Sequence, residues 1–354
     1  MSAAGPAAVI VLAAGEGTRM KSAIPKTLHK VCGRTMLGHS LSAAAELCPD
    51  RLIVVVGHGA EQVAADARQH APDAVIVVQD YLGGTGHAVR VVLEAIGTLH
   101  GTVVVTYADT PLLRGATLAE LVAARAGPAA AAAVLTARAA NPAGYGRIVR
   151  DTNGDFACIV EHADATAEQQ VIDEINSGMY AFDGDLLADA VKRVRTDNAQ
   201  GEEYLTDVVS VLRQDGYPVS TVTCPDFEEI QGVNDLVQLA HVGRVLTARL
   251  LESAMRSGVR IADPASTWVD VGVTLAPGCF IRPSTQLEGA TTVGAGATVG
   301  PGCLLRDTVV GQRATVISSV CESAVIDDGV RVGPFAYLAP GTVASQPVRG
   351  EQVQ

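Results

Sequence analysis

The stretch VLAAGEGTRM, residues 11–20, decides how the first half of the chain is read. An apolar run ending at Leu12 breaks into small residues, two glycines (Gly15 and Gly17) and an arginine, and Lys26 follows in IPKTLHK. Backbone N–H groups approach an anion closely where glycines carry no side chain, so this texture suits a buried strand that delivers a loop to a phosphate. A P-loop requires a Gly-Lys pair that the loop lacks, and a dinucleotide fingerprint requires a third glycine where Met20 stands. A plain strand-to-helix turn would account for the glycines but not for Arg19 and Lys26 beside them.

Outward from this loop the same texture recurs. RLIVVVGH (51–58), AVIVVQD (74–80) and TVVVTYAD (102–109) are runs rich in valine and isoleucine, bounded by turn residues, as expected of strands buried on both faces. Helix-like stretches such as TMLGHSLSAAAELC (35–48) and GHAVRVVLEAIGTL (86–99) separate them. The alternation predicts an α/β domain with a parallel, doubly wound, Rossmann-like sheet, in which ligands sit at the carboxyl ends of the strands. The opening loop, YLGGTGHA and the aspartate of YADTPL each follow a strand run directly, so three polar loops are expected to meet at one edge.

A length of 354 residues predicts two domains, and a net charge of −12 with no run of lysine or arginine argues against a nucleic-acid partner. The seven cysteines are scattered without a C-x-x-C pair, which points to a reduced, cytoplasmic protein with no cysteine-built zinc site. The N-terminal MSAAGPAAVIVLAAGEG has no basic segment of the signal-peptide kind, and no apolar stretch is long enough to span a membrane. His58 and His87 belong to no metal-binding pattern and read as loop-packing residues.

The second half has another texture. NDLVQLAHVGRVLTARLLESAMRSG (234–258) carries apolar residues three or four apart and predicts a helix bridging two domains. Beyond it, Leu275, Ile281, Leu287, Val293, Val299 and Leu305 recur every six residues; the phase slips to Val310 and Val316 and resumes at Ile326, Val332 and Leu338. A six-residue period marks a parallel β-helix in which each repeat lays one short strand and turns its aliphatic residue inward. The expected organisation is an α/β domain at 1–230, a linker helix at 231–262, a hexapeptide-repeat coil at 263–345 and a polar tail at 346–354.

LAAGEGTRMKSAIPKTLHKVCGR (12–34) resembles the signature of sugar-phosphate nucleotidyltransferases. It is most similar to the uridylyltransferase half of the bacterial bifunctional N-acetylglucosamine-1-phosphate uridylyltransferase/glucosamine-1-phosphate acetyltransferase. QDYLGGTGHA (79–88), YADTPLL (107–113), NPAGYGRIVR (141–150), IVEHADAT (159–166), EINSGMYAF (174–182), NAQGEEYLTD (198–207) and IQGVND (230–235) resemble that family in its order. The resemblance implies attack by a sugar 1-phosphate oxygen on the α-phosphorus of UTP. That nucleophile is already ionised, so alignment and charge neutralisation carry the catalysis.

By the same resemblance, Arg19 and Lys26 are the catalytic cations on the triphosphate. Leu12, Ala13, Ala14, Gly15, Gln79, Gly84 and Thr85 hold the nucleotide, and a glutamine can pair with both a donor and an acceptor of a pyrimidine edge. Tyr107, Gly146, Glu161, Asn176, Tyr204, Thr206 and Asn234 read the sugar, while Asp109 and Asn234 hold Mg²⁺. The coil is implied to be left-handed and to pack as a homotrimer. Two positions depart from the family pattern: Ala108 replaces a glycine beside the metal aspartate, where a methyl would crowd the ligand, and Ala339 replaces an arginine. The coil is also read as shortened, with the acetyltransferase residues missing, so that activity is expected to be absent. Another sugar 1-phosphate, dTTP in place of UTP, and a non-catalytic regulatory subunit remain as alternatives.

Overall fold

The computed structural model describes residues 5–126, 130–196, 198 and 201–350. Ala199 and Gln200 of the NAQGEEYLTD motif, and the last four residues of the polar tail, lie outside the described residues. The chain forms two compact units, one comprising residues 1–29 and 35–236, the other 30–34 and 237–354.

The first unit is built on a nine-stranded sheet. Its main path runs Val219–Cys224, Ala132–Arg138, Glu174–Asp183, Thr102–Tyr107, Ala8–Ala13, Leu52–Val56, Val75–Val78. The strand Ala8–Ala13 is wholly buried and pairs in parallel with Leu52–Val56 on one side and Thr102–Tyr107 on the other. Helices Met36–Ala45, Ala60–His70, Thr85–Ile96 and Gly115–Ala126 connect the parallel strands and cover two apolar clusters, one on each face. Strand direction therefore follows the valine and isoleucine runs as the doubly wound reading requires.

The sheet is mixed rather than wholly parallel, which corrects the expectation. Glu174–Asp183 lies antiparallel to both Thr102–Tyr107 and Ala132–Arg138. The reason is the connection that precedes it: residues 139–173 form the hairpin Arg147–Arg150 with Phe156–Val160 instead of a long crossover helix, and the chain returns in the opposite sense. A register shift between Asn176 and Tyr180 breaks the pairing with Ala132–Arg138. Such a break re-aims side chains, and here it falls at a site residue.

From Val237 onward the helix Leu236–Arg256 belongs to the second unit; it buries Val242, Gly243, Thr247 and Leu251 and leaves Leu236 and Val237 exposed. Its inward face is thus narrower than the apolar spacing suggests. Gly243 sits under Trp268, whose ring a Cβ would meet at 3.1 Å. The short segment 30–34 belongs to this unit: the Cys32 thiol donates to the carbonyl of Gly243, and its backbone oxygen accepts from Val271 N at 3.0 Å.

The repeat region is a left-handed parallel β-helix whose two- and three-residue strands stack into three five-stranded sheets. Its core is formed by the in-phase residues Ile281, Leu287, Val293, Val299, Leu305, Val310, Val316, Ile326, Val332 and Leu338. Cys321 fills the position between Val316 and Ile326 at which the aliphatic series lapses, and Leu305 pairs directly with it. At the corners buried Thr291 and Thr308 donate to the carbonyls of Glu288 and Arg306, which satisfies backbone that turns too sharply for a ladder.

Candidate active site

The chain runs from Ala8–Ala13 to Leu52–Val56 and Val75–Val78 on one side, then crosses to Thr102–Tyr107 on the other. This reversal of strand order opens a crevice at the carboxyl ends of the central strands. Leu12 is paired with Tyr107 there, and its carbonyl accepts from Ala108 N at 3.0 Å.

Two cavities occupy that edge. The first, about 280 Å³, is lined by Leu12, Ala13, Ala14, Gly15, Gln79, Gly84 and Thr85, with Lys26, Tyr107 and Asp109. All seven residues expected to hold the nucleotide thus face one space. The second, about 440 Å³, is lined by Tyr107, Gly146, Glu161, Asn176, Tyr204 and Thr206 among others. Thr85, Tyr107 and Glu202 line both, so the cavities adjoin. Asn234 and Arg19 line neither.

The glycines of the opening loop have separate structural reasons. Gly17 has φ 64°, and a Cβ there would lie 2.4 Å from that of Lys26. Gly15 lines the first cavity, and a Cβ on it would meet nothing within 4 Å. One glycine makes room for the lysine; the other leaves room for whatever fills the cavity.

Lys26, in the short turn Lys26–Leu28, is largely buried and forms a 2.5 Å ion pair with Oδ2 of Asp109. Its Nζ also donates to Oδ1 of Asn234 at 2.9 Å. Arg19, exposed, donates to the same Asn234 oxygen at 2.9 Å. Asp109 is held by the loop that carries Asn234, since Val233 N donates to the Asp109 carbonyl at 2.9 Å. A carboxylate and an amide oxygen therefore converge on one positive point, the Lys26 ammonium. Among the described residues no group of three or more His, Cys, Asp or Glu is arranged to hold a metal ion.

In the second cavity Glu161 is half-buried. Burial pushes its carboxyl up from the ordinary value, while the Thr206 hydroxyl, donating at 3.2 Å, opposes the shift. Asn176, at the strand irregularity, donates to the Tyr180 hydroxyl at 2.7 Å and accepts from Gly178 N at 3.0 Å. Gly178 has φ 81°, and a Cβ there would come within 2.8 Å of the Tyr107 ring. Burial, with Asp109 and Glu161 nearby, drives the Tyr107 phenol well above its ordinary value, so at neutral pH it is a neutral donor between the two cavities.

The segment leading to Tyr204 is fixed to the helix Thr85–Ile96. Glu203 N donates to Gly83 O at 2.8 Å, Leu205 N donates to the Thr85 hydroxyl at 3.0 Å, and Arg90 grips the Glu203 carboxylate through two nitrogens at 2.9 and 2.7 Å. Arg90 and Glu203 were absent from the sequence-derived site. Nothing marks a surface arginine as a clamp until its partner, far along the chain, is known.

Ala108 corrects an expectation. Its methyl is fully buried in the apolar cluster with Val11 and Leu113 and lines neither cavity. The alanine therefore packs in the core and forms no part of either cavity wall. His87 is buried as well, but it is more than a packing residue, because Gln79 donates to its Nδ1 at 2.8 Å.

With this geometry in place, similarity to known proteins assigns the chain. Residues 9–173 match the MobA-like NTP transferase domain. The chain is 56% identical over 330 residues to the bifunctional protein GlmU of Thermobifida fusca, covering 92% of this chain and 68% of that protein. The GlmU of Streptomyces avermitilis is 54% identical, with 97% and 71% covered, and that of Corynebacterium glutamicum 46% identical, with 95% and 70% covered. The chain belongs to the GlmU family. It is an enzyme of the sugar-1-phosphate uridylyltransferase kind, its substrates a nucleoside triphosphate and a sugar phosphate. The GlmU relatives are named bifunctional, so they give no support to the expectation that acetyltransferase activity is absent. No helix among the described residues is long and apolar enough to cross a membrane.

Proposed function

We propose that this chain converts UTP and N-acetylglucosamine 1-phosphate into UDP-N-acetylglucosamine and pyrophosphate. A phosphate oxygen of the sugar bonds to the α-phosphorus of UTP. The bond from that phosphorus to the oxygen bridging it to the β-phosphorus breaks, and pyrophosphate leaves with the electron pair. The observation that carries this reading is the pair of adjoining cavities, with Lys26 and Asp109 lining the one that holds the loop Leu12 to Gly15.

The residues have separate tasks in this scheme. Lys26 places a partly buried positive charge against the triphosphate, where it offsets charge developing on the leaving pyrophosphate. Arg19, solvent-exposed and bonded to the same Asn234 oxygen as Lys26, adds a second cation beside that lysine. Gly15 lets phosphate oxygens approach the loop backbone. In the other cavity Glu161 accepts from sugar hydroxyls, Asn176 pairs with the acetamido group, and Gly146, Tyr204 and Thr206 shape the wall. Tyr107, with its neutral hydroxyl, stands where the two substrates meet.

Asp109 and Asn234 suit a Mg²⁺ ion: both are oxygen donors, and they already converge on the Lys26 ammonium. One carboxylate and one amide, completed by phosphate oxygens and water, is how proteins commonly hold this ion beside a nucleotide. Bound there, the ion would polarise the triphosphate and neutralise its charge. Lys26 would then give up its hold on Asp109 and turn to the phosphates.

The coil is proposed as a homotrimerisation element, supported by its outward-facing Val309, Val325 and Val343, which are exposed in a single sheet. The function is tested by pyrophosphate release from the purified chain with UTP, dTTP and a panel of sugar 1-phosphates. Turnover confined to another pair of substrates would reassign the specificity and keep the chemistry.

A further inference from the structure

Gln79 lines the nucleotide cavity while only 5% exposed. Its amide nitrogen donates twice, to the carbonyl oxygen of Gly84 at 3.2 Å and to Nδ1 of His87 at 2.8 Å. A carbonyl oxygen can only accept, so the group beside Gly84 is the NH₂, and the orientation of the amide is settled. Both of its hydrogens are spent inside the protein. The amide oxygen accepts from no described residue, yet it is not sealed away among the buried unpaired polar atoms, so its remaining surface faces the cavity.

His87 is itself held rigidly. Its ring is 3% exposed, stacks on Tyr81 with centroids 4.2 Å apart, and lies against Gly83, where a Cβ would come within 2.9 Å of Nδ1. With the Gln79 NH₂ group facing it, Nδ1 is the acceptor of this pair. Turning the Gln79 amide over would set its oxygen against the Gly84 carbonyl, acceptor to acceptor, and would force His87 into the tautomer that carries its proton on Nδ1.

We propose that His87 is a positioning residue for base choice: it locks Gln79 so that the cavity meets an acceptor, selecting a pyrimidine with an N–H at ring position 3. Uracil and thymine carry that hydrogen; cytosine has a bare nitrogen there. The proposal rests on the nucleotide reading given above and narrows it, since a glutamine free to turn would serve either base.

The test measures binding of UTP and of CTP by titration calorimetry, and turnover of each with N-acetylglucosamine 1-phosphate. The proteins are the native chain, His87→Phe and His87→Asn. Phenylalanine keeps a ring against Tyr81 but offers no acceptor, whereas asparagine restores one. Expected is a fall of about tenfold in the UTP-to-CTP preference for His87→Phe, the size of one hydrogen-bond preference, with His87→Asn staying close to native. Equal losses for both nucleotides would show a merely structural residue and overturn the proposal, as would an unchanged ratio or a native chain that binds CTP as well as UTP. A native preference for UTP that depends on His87, in a chain that turns over no N-acetylglucosamine 1-phosphate, would refute the sugar assignment and leave base choice by His87 standing. Should circular dichroism show His87→Phe unfolded, His87→Leu reads the same ratio.

Discussion

At Gly17 the left-handed backbone and the contact with the Lys26 Cβ act together, while at Gly15 neither applies. Gly17→Ala should therefore cost about 1–2 kcal/mol of stability, from the left-handed conformation alone, and displace Lys26, with a loss of kcat that a melting curve and steady-state kinetics would separate. Gly15→Ala should leave the melting temperature unchanged and raise KM for UTP, because its methyl would enter the cavity. Glu161 gives a pH-dependent prediction. Its folded pKa is raised by burial, so the folded chain binds the proton more tightly than the unfolded one, and this group's contribution to stability falls as pH rises through the carboxylate range. Glu161→Gln removes that loss. The variant should melt at or above the native temperature at neutral pH, lose this advantage in acid, and show KM for the sugar phosphate raised about tenfold.

Among the elements, the strands carry their own signal where they are buried on both faces, and residues 8–13, 52–56 and 102–107 were legible for that reason. The antiparallel Glu174–Asp183 was not. Its direction depends on the hairpin before it, and hydrophobic pattern alone does not say which way a strand runs. The coil was legible through its period, yet Cys321 escaped because a thiol does not belong to the aliphatic series that defines the repeat. Cys321→Ser should cost about 1–3 kcal/mol, since it sets a hydroxyl into a fully apolar interior, and the loss should show in urea unfolding. The site was legible as motifs in order, but Arg90, Glu203 and His87 act through pairings that a linear reading does not reveal.

For the molecule as a whole, all seven thiols are free, and their reactivity should report the burial of both units. Cys48 is exposed and Cys158 half-buried; burial raises Cys32 and Cys279 to about 11 and Cys321 to about 12, which suppresses the thiolate that reacts. A disulfide reagent at pH 8 should label Cys48 quickly and Cys158 slowly, leaving the other five until the chain unfolds. The central claim concerns the first unit, in which Lys26, Asp109 and Asn234 converge beside two adjoining cavities. Its most direct test is pyrophosphate release from UTP and N-acetylglucosamine 1-phosphate with Mg²⁺, native chain against Asp109→Ala. Robust native turnover that falls about a hundredfold or more in the variant is the predicted result. A folded Asp109→Ala protein that keeps native turnover, or a folded native chain that releases no pyrophosphate with any sugar 1-phosphate, would contradict it.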